Sequence, residues 1–223
     1  MENNSQNFQK KDLIFAVAVG FLIGLLAMPV LRAAKPDLYE KFYLTLIPFF
    51  LIGTPFGVAI AHIISKKIAI IWQISKFGVI GVLNTFVDLG ILTLLTFIVR
   101  KYLQIDSVDI IWQTPIIVIT FYSIYKAISF IIANINSYFC NKYWTFEQNL
   151  EKKSGKEFFQ FFTVSIIGFL INFFIASFVF KSVTPIAGMN VDQWGLIGAL
   201  AGTAAGLVWN FLGYKFIVFK KIG

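Results

Sequence analysis

The chain of 223 residues contains one cysteine, one histidine and few charges. Cys140 alone excludes a disulfide framework and any site built from several thiolates. His62 alone removes most imidazole chemistry, from triads to His-rich metal centres. Charged residues make up 13% of the sequence, where a soluble domain carries about 25%. No glycine-rich loop ending in Lys-Ser or Lys-Thr is present, so ATP or GTP is not the energy source. No nucleophile–base–orienter set is visible either, so no catalytic residue, no metal and no cofactor is expected. What the chain has instead is apolar: 58% of residues are hydrophobic and the mean hydropathy is +0.78. This is the composition of an integral membrane protein. In that setting the net charge of +8 meets phospholipid headgroups rather than nucleic acid.

Six apolar stretches could each cross about 30 Å of hydrocarbon, which takes about 20 helical residues. They run approximately 13–31, 42–64, 75–99, 114–139, 158–181 and 193–214. The expected fold is therefore an all-α polytopic membrane protein of six transmembrane helices. The first stretch is too long for a signal core, and Arg32 stands where a small residue should precede cleavage. Twelve lysines lie in the N-terminal tail, the 65–76 and 140–157 links and the C-terminus, against six basic residues in the alternate loops; Lys126 belongs to neither set. This bias predicts both termini in the cytoplasm. Thr114 and Pro115 read as the cap and first-turn pair of the fourth span. Ala16, Gly20 and Gly24, and later Gly198, Gly202 and Gly206, recur every fourth residue and predict close helix packing, above all for the sixth span.

Residues 137–146, "SYFCNKYWTF", align with 210–219, "NFLGYKFIVF", at an offset of 73. Each unit is two spans and an aromatic-basic tail, so the repeats are parallel rather than inverted. Internal repeats are common in transporters, with the substrate path between them; a duplicated hairpin of purely structural use is the alternative. The organisation expected is a tail (1–12), a two-span extension (13–72) and a four-span domain (73–221) with repeats near 73–147 and 157–220.

The F-x-x-x-G at Phe77–Gly81 and the "NKYWTF" at 141–146 resemble the GtrA-like family across residues 73–221. Ser137 stands where an asparagine is expected, and in the second repeat Tyr214 and Ile217 replace the asparagine and the tryptophan. The resemblance implies a multi-pass protein of the bacterial cytoplasmic (inner) membrane. It implies translocation of a polyprenyl-phosphate-linked monosaccharide to the outer leaflet, where a separate membrane glycosyltransferase uses it for cell-surface polysaccharide or teichoic acid glycosylation.

The residues make their own case for a polar path. Asn84 and Asp88 share one face of the third span, and Lys126 lies at a similar depth on the antiparallel fourth. A lone charge at mid-membrane costs at least ~2.5–3.5 kcal/mol, so Asp88 and Lys126 are expected to be partners or to share a wet pocket. Asn134, Ser137 and Asn141 continue the Lys126 stripe; Ser165, Gly168, Asn172 and Ala176 form another, and Asn210 extends the late glycine row. These stripes could surround one groove, or act as interhelical hydrogen-bond glue. Lys76, Lys142, Lys156 and Lys215, interleaved with Trp72, Tyr143, Trp144 and Tyr214 and joined by Asn141, are expected to form a collar at the headgroups. Lysine ammonium groups suit the lipid phosphate and the rings suit the interface or a sugar. A flippase-like translocase is the leading reading. A transferase using Asp88 as base, a non-catalytic scaffold for a glycosyltransferase and a small-molecule exporter remain as alternatives. A homodimer would supply walls that four helices alone lack.

Overall fold

A computed structural model of the chain describes residues 8–116, 118–148, 155–186, 188 and 191–220. Lys152, Lys153 and Lys221, counted above among the basic loop residues, lie outside them. The architecture is that of an all-α polytopic membrane protein: helices α1 (Lys10–Ala34), α2 (Pro36–Ser65), α3 (Ile70–Leu103), α4 (Phe121–Cys140), α5 (Gly155–Ser182) and α6 (Val191–Gly213). A small hairpin of strands β1 (Ile110–Gln113) and β2 (Val118–Thr120) separates α3 from α4. Helices α1, α2, α3 and α5 and the stretch Ile197–Val218 are long and apolar enough to cross a membrane. Among the described residues α4, twenty residues that include Lys126, Ser129, Asn134 and Ser137, falls outside that set, so five of the six expected spans meet the measure. The chain divides into two compact units, Met1–Glu147 and Gln148–Gly223.

In the first unit α1 and α2 form a tight hairpin. Lys35 is its whole connection, and Pro36 opens α2 where its missing N–H costs nothing. The small residues of α1 let the two backbones touch. A Cβ on Gly20 would overlap the Phe50 carbonyl oxygen, and one on Gly24 would come 2.7 Å from the Ile47 Cα. Ala16, Val19 and Ile23 of α1, Val58 of α2, and Trp72, Ile80 and Leu83 of α3 then form one buried cluster. Without a hydrophobic drive between helices in lipid, such close contact is what holds them together.

The beginning of the fourth helix differs from expectation. Thr114 and Pro115 do not cap it; they sit in the β-hairpin turn, and α4 opens seven residues after Thr114, at Phe121. Proline pushes the preceding residue into extended backbone, and the β-branched "IIVIT" that follows is stiff and favours strand. Thr120 is the real N-cap, its N–H donating to the Ser123 Oγ at 3.3 Å. The Ser107 carbonyl accepts from the Tyr122 N–H at 2.8 Å, and the Asp109 carbonyl from the Phe121 N–H at 3.1 Å. First-turn donors that a helix leaves unsatisfied are thus covered by the returning loop.

The second unit is the α5–α6 pair. The glycine row of α6 lies directly on the small-polar stripe of α5. A Cβ on Gly198 or Gly206 would come 2.9 Å from the carbonyl oxygens of Ala176 or Gly168, and one on Gly202 would overlap that of Asn172. Trp194 and Trp209 pin the two ends, their indole N–H groups donating to the Val183 and Val164 carbonyls, each at 3.1 Å.

Both α4 and α6 finish in a five-residue π-helix, Asn141–Thr145 and Tyr214–Val218. The closing bonds correspond at the offset of 73: Phe146 N–H donates to the Asn141 carbonyl at 2.9 Å, and Phe219 N–H to the Tyr214 carbonyl at 2.7 Å. Short π turns of this kind concentrate at functional sites.

Candidate functional site

Asp88 and Lys126 meet across the α3–α4 hairpin as an ion pair, Lys126 Nζ against Asp88 Oδ2. The other carboxylate oxygen accepts from the Ser129 hydroxyl at 2.6 Å. Ser129 was not among the expected residues, yet its position three beyond Lys126, on the same helix face, was a usable signal. The group is not sealed: the Lys126 side chain is 42% exposed and that of Asp88 21%. An ammonium has three donors, and Asp88 takes only one of them here. Asn84, one turn along α3, has a buried Oδ1 with no hydrogen-bond partner among the described residues. One side of the hairpin therefore carries a partly open cation, a carboxylate and an amide acceptor.

The side-chain amide N–H groups further along the α4 stripe bond within their own helix. Asn134 Nδ2 donates to the Phe130 carbonyl at 2.9 Å, and Asn141 Nδ2 to the Ser137 carbonyl at 2.9 Å and the Ser137 Oγ at 3.2 Å. Asn134, Ser137 and Asn141 are buried, so they pack the α4 interior face instead of lining an open groove. Bonds back to the preceding turn of the same helix account for this. The Oδ1 of Asn141 and the Oγ1 of Thr145 keep no partner among the described residues.

The basic residues of the first unit also lie elsewhere than expected. Lys76 and Lys142 are fully buried and do not present ammonium groups at a headgroup surface. Lys76 Nζ is 2.7 Å from Asp12 Oδ1 and 3.0 Å from Glu147 Oε1, with the Trp72 ring at 4.4 Å. The same Asp12 oxygen accepts from the Trp144 indole at 3.1 Å, and Trp144 stacks on Phe15 at 4.7 Å. The reason is desolvation: burying a charge is costly unless it is paired and hydrogen-bonded, and the first helix brings Asp12 to Lys76. The expected organisation places that residue at the end of the N-terminal tail (1–12), although an acidic side chain at the edge of an apolar run is costly enough to be a signal. Lys142 Nζ donates to the Tyr138 hydroxyl at 3.2 Å, over the Tyr138 and Tyr143 rings.

In the second unit the polar stripe is largely consumed by packing. Asn210 lies with its amide directly on Gly168, and Asn172 lies on Gly202. The expectation that these residues line a groove is corrected there: α5 and α6 present their small and polar faces to each other. The Asn210 Oδ1 is buried without a partner among the described residues. Ser165 and Tyr214 share a hydrogen bond of 2.7 Å between hydroxyls, and Phe161 stacks on Tyr214 at 4.3 Å. Lys215 is half-buried over Phe211 and Phe216, and Lys156 is exposed. Among the described residues no group of three or more His, Cys, Asp or Glu side chains could hold a metal ion.

Against known proteins, residues 76–219 match the family model described as GtrA/DPMS, transmembrane domain. Among curated proteins the chain is similar to the uncharacterized membrane protein YngA of Bacillus subtilis (strain 168), with 27% identity over 146 residues, which is 66% of this chain and 78% of that one. No solved structure matches. The family match starts at Lys76, the buried ammonium, and stops at Phe219, the residue that closes the second π turn. Helices α1 and α2 precede it, and Asp12 joins them to its first residue. With two apolar hairpins ending alike and the match covering more than half of its length, this chain is a multi-pass membrane protein of the GtrA/DPMS transmembrane family.

Proposed function

We propose that the protein is a non-enzymatic, flippase-like translocase that carries a polyprenyl-phosphate-linked monosaccharide across the bacterial cytoplasmic membrane. The observation that supports this best is the Asp88–Lys126–Ser129 group, a partly open ionic cluster within a membrane hairpin of this family. An ionic group in a span is expensive, and such groups generally mark substrate paths. In the proposed cycle the lipid phosphate takes the spare donors of Lys126. As it does so, Asp88 turns to the sugar hydroxyls, with Asn84 as a further acceptor. Exchanging one anion for another at Lys126 keeps the ammonium compensated throughout, which lowers the barrier that a bare charge would face in lipid. The polyprenyl tail stays in the bilayer. Both termini face the cytoplasm in this scheme, and a membrane glycosyltransferase consumes the product outside. The sugar's own gradient, maintained by that consumption, drives net movement.

The test is a charge exchange. In proteoliposomes loaded with labelled polyprenyl-phosphoryl sugar, Lys126→Ala is expected to slow appearance of the sugar on the far side by about tenfold, the effect of about 1.4 kcal/mol. The double variant Asp88→Lys with Lys126→Asp restores a pair but moves the ammonium to α3; it is expected to fold and remain slow. Native rates in the exchanged protein would mean that the pair only holds the hairpin together. Native rates in Lys126→Ala, with normal surface glycosylation in cells, would favour a scaffold for the glycosyltransferase.

A further inference from the structure

The β1–β2 hairpin carries more exposed apolar surface than a polar loop has reason to show. Ile110, Ile111 and Trp112 are consecutive and 57%, 47% and 53% exposed, and Ile116 at the turn is 93% exposed. Since side chains alternate along a strand, consecutive exposed residues mean that both faces are apolar. A protein docked on one face would leave the other in water, and an isolated two-stranded hairpin is at best marginally stable there. A fluid apolar medium covers both.

Position along the helices gives the same answer. Arg100 and Asp106 form an ion pair at 3.0 Å with both side chains exposed, which marks the water side of α3. At 1.5 Å per residue Arg100 stands about 18 Å along α3 from Asp88, whereas Phe121 stands only about 8 Å along α4 from Lys126. Because Asp88 and Lys126 are in contact, the start of α4 lies about 10 Å below the Arg100 level. The hairpin is anchored at that lower level, since Ser107 and Asp109 bond the first N–H groups of α4. The chain therefore turns back toward the bilayer after α3. Exposed Phe97, Tyr102 and Leu103 of α3 and Tyr122 of α4 continue the same apolar surface.

We infer that the β1–β2 hairpin is a re-entrant element seated in the interfacial zone of the leaflet on the Arg100 side, with lipid as its partner. The free edges of a two-stranded sheet need polar neighbours, so the headgroup–acyl boundary suits it and the hydrocarbon centre does not. Trp112 matches the preference of indole for that boundary.

The sequence makes the test simple, because Cys140→Ser leaves no thiol. In that background Ile116→Cys is labelled with an environment-sensitive fluorophore and the full chain is reconstituted in phosphatidylcholine vesicles. Bromine placed high on the acyl chains is expected to quench the label at least twofold, and aqueous iodide to quench it several-fold less than the free dye. Iodide quenching equal to that of free dye, with none from bromolipid, would place the hairpin in water and overturn the inference. So would a disulfide-linked dimer of the unlabelled Ile116→Cys chain in the same vesicles, which would make a second copy the partner. If the labelled chain does not fold, bromolipid quenching of Trp112 fluorescence, taken as the difference between the native protein and Trp112→Phe, gives the same reading.

Discussion

Asp12→Ala is expected to destabilise the protein by about 3–5 kcal/mol, the cost of leaving a buried charge without its partner. Lys76 is fully buried, and Asp12 lies 2.7 Å from its Nζ. Alanine would also leave the Trp144 indole N–H without its acceptor, a further cost of about 1–3 kcal/mol for a buried donor, not strictly additive to the first. Glu147 stays within reach of the ammonium at 3.0 Å, but it is partly exposed, so it compensates only in part. Thermal or denaturant unfolding in detergent measures the effect. The double variant Asp12→Leu with Lys76→Met removes both charges and is expected to recover most of the lost stability, because a buried ion pair is often no better than its apolar replacement. A loss below about 1 kcal/mol in Asp12→Ala would show that Glu147 or water can serve Lys76 equally well.

Gly202→Val is expected to be the next most damaging single change. Even a Cβ at Gly202 overlaps the Asn172 backbone carbonyl and comes 2.9 Å from the Ala176 Cβ. Overpacking usually costs about 1–3 kcal/mol, and a main-chain neighbour cannot rotate away, so the upper end or more applies here. The α5–α6 pair would have to move apart along its whole seam, losing the Trp194 and Trp209 hydrogen bonds as well. Gly78→Ala is the matched control. A Cβ at Gly78 meets nothing within 4 Å, and alanine is favoured over glycine inside a helix by about 0.5–1 kcal/mol. The two variants should shift the melting temperature in opposite directions. Equal tolerance of both would mean that the α5–α6 contact is looser than described.

Much of the fold was readable because it depends on composition and spacing. The glycine rows named their own seams, and the duplicated ending marked where α4 and α6 stop, although nothing in it foretold the π turns found there. The meeting of Asp88 and Lys126 followed from depth and cost: two charges in lipid on consecutive helices have few other places to go. The β-hairpin was hidden because Thr-Pro before an apolar run is equally good as a helix start, and only the Thr120–Ser123 cap further on decides otherwise. The collar was misjudged in the first unit for a different reason. A lysine beside tryptophans near a helix end looks like a headgroup anchor, and its burial became visible only through a carboxylate from a distant helix. Asparagines at helical spacing likewise cannot reveal whether they serve a cavity or bond to the preceding turn of their own backbone.

The tie between Asp12 and Lys76 also bears on how the protein is made. Asp12 leaves the ribosome well before Lys76, and longer still before Trp144, so the first hairpin must insert with an acidic side chain still awaiting both partners. Until then solvation favours keeping that carboxylate at the bilayer surface, which holds the N-terminal helix at a fixed height as the later spans arrive. Closure of the contact then comes in two steps: the third helix brings the Lys76 ammonium that compensates the charge, and the first "NKYWT" turn later adds the Trp144 N–H to the same oxygen.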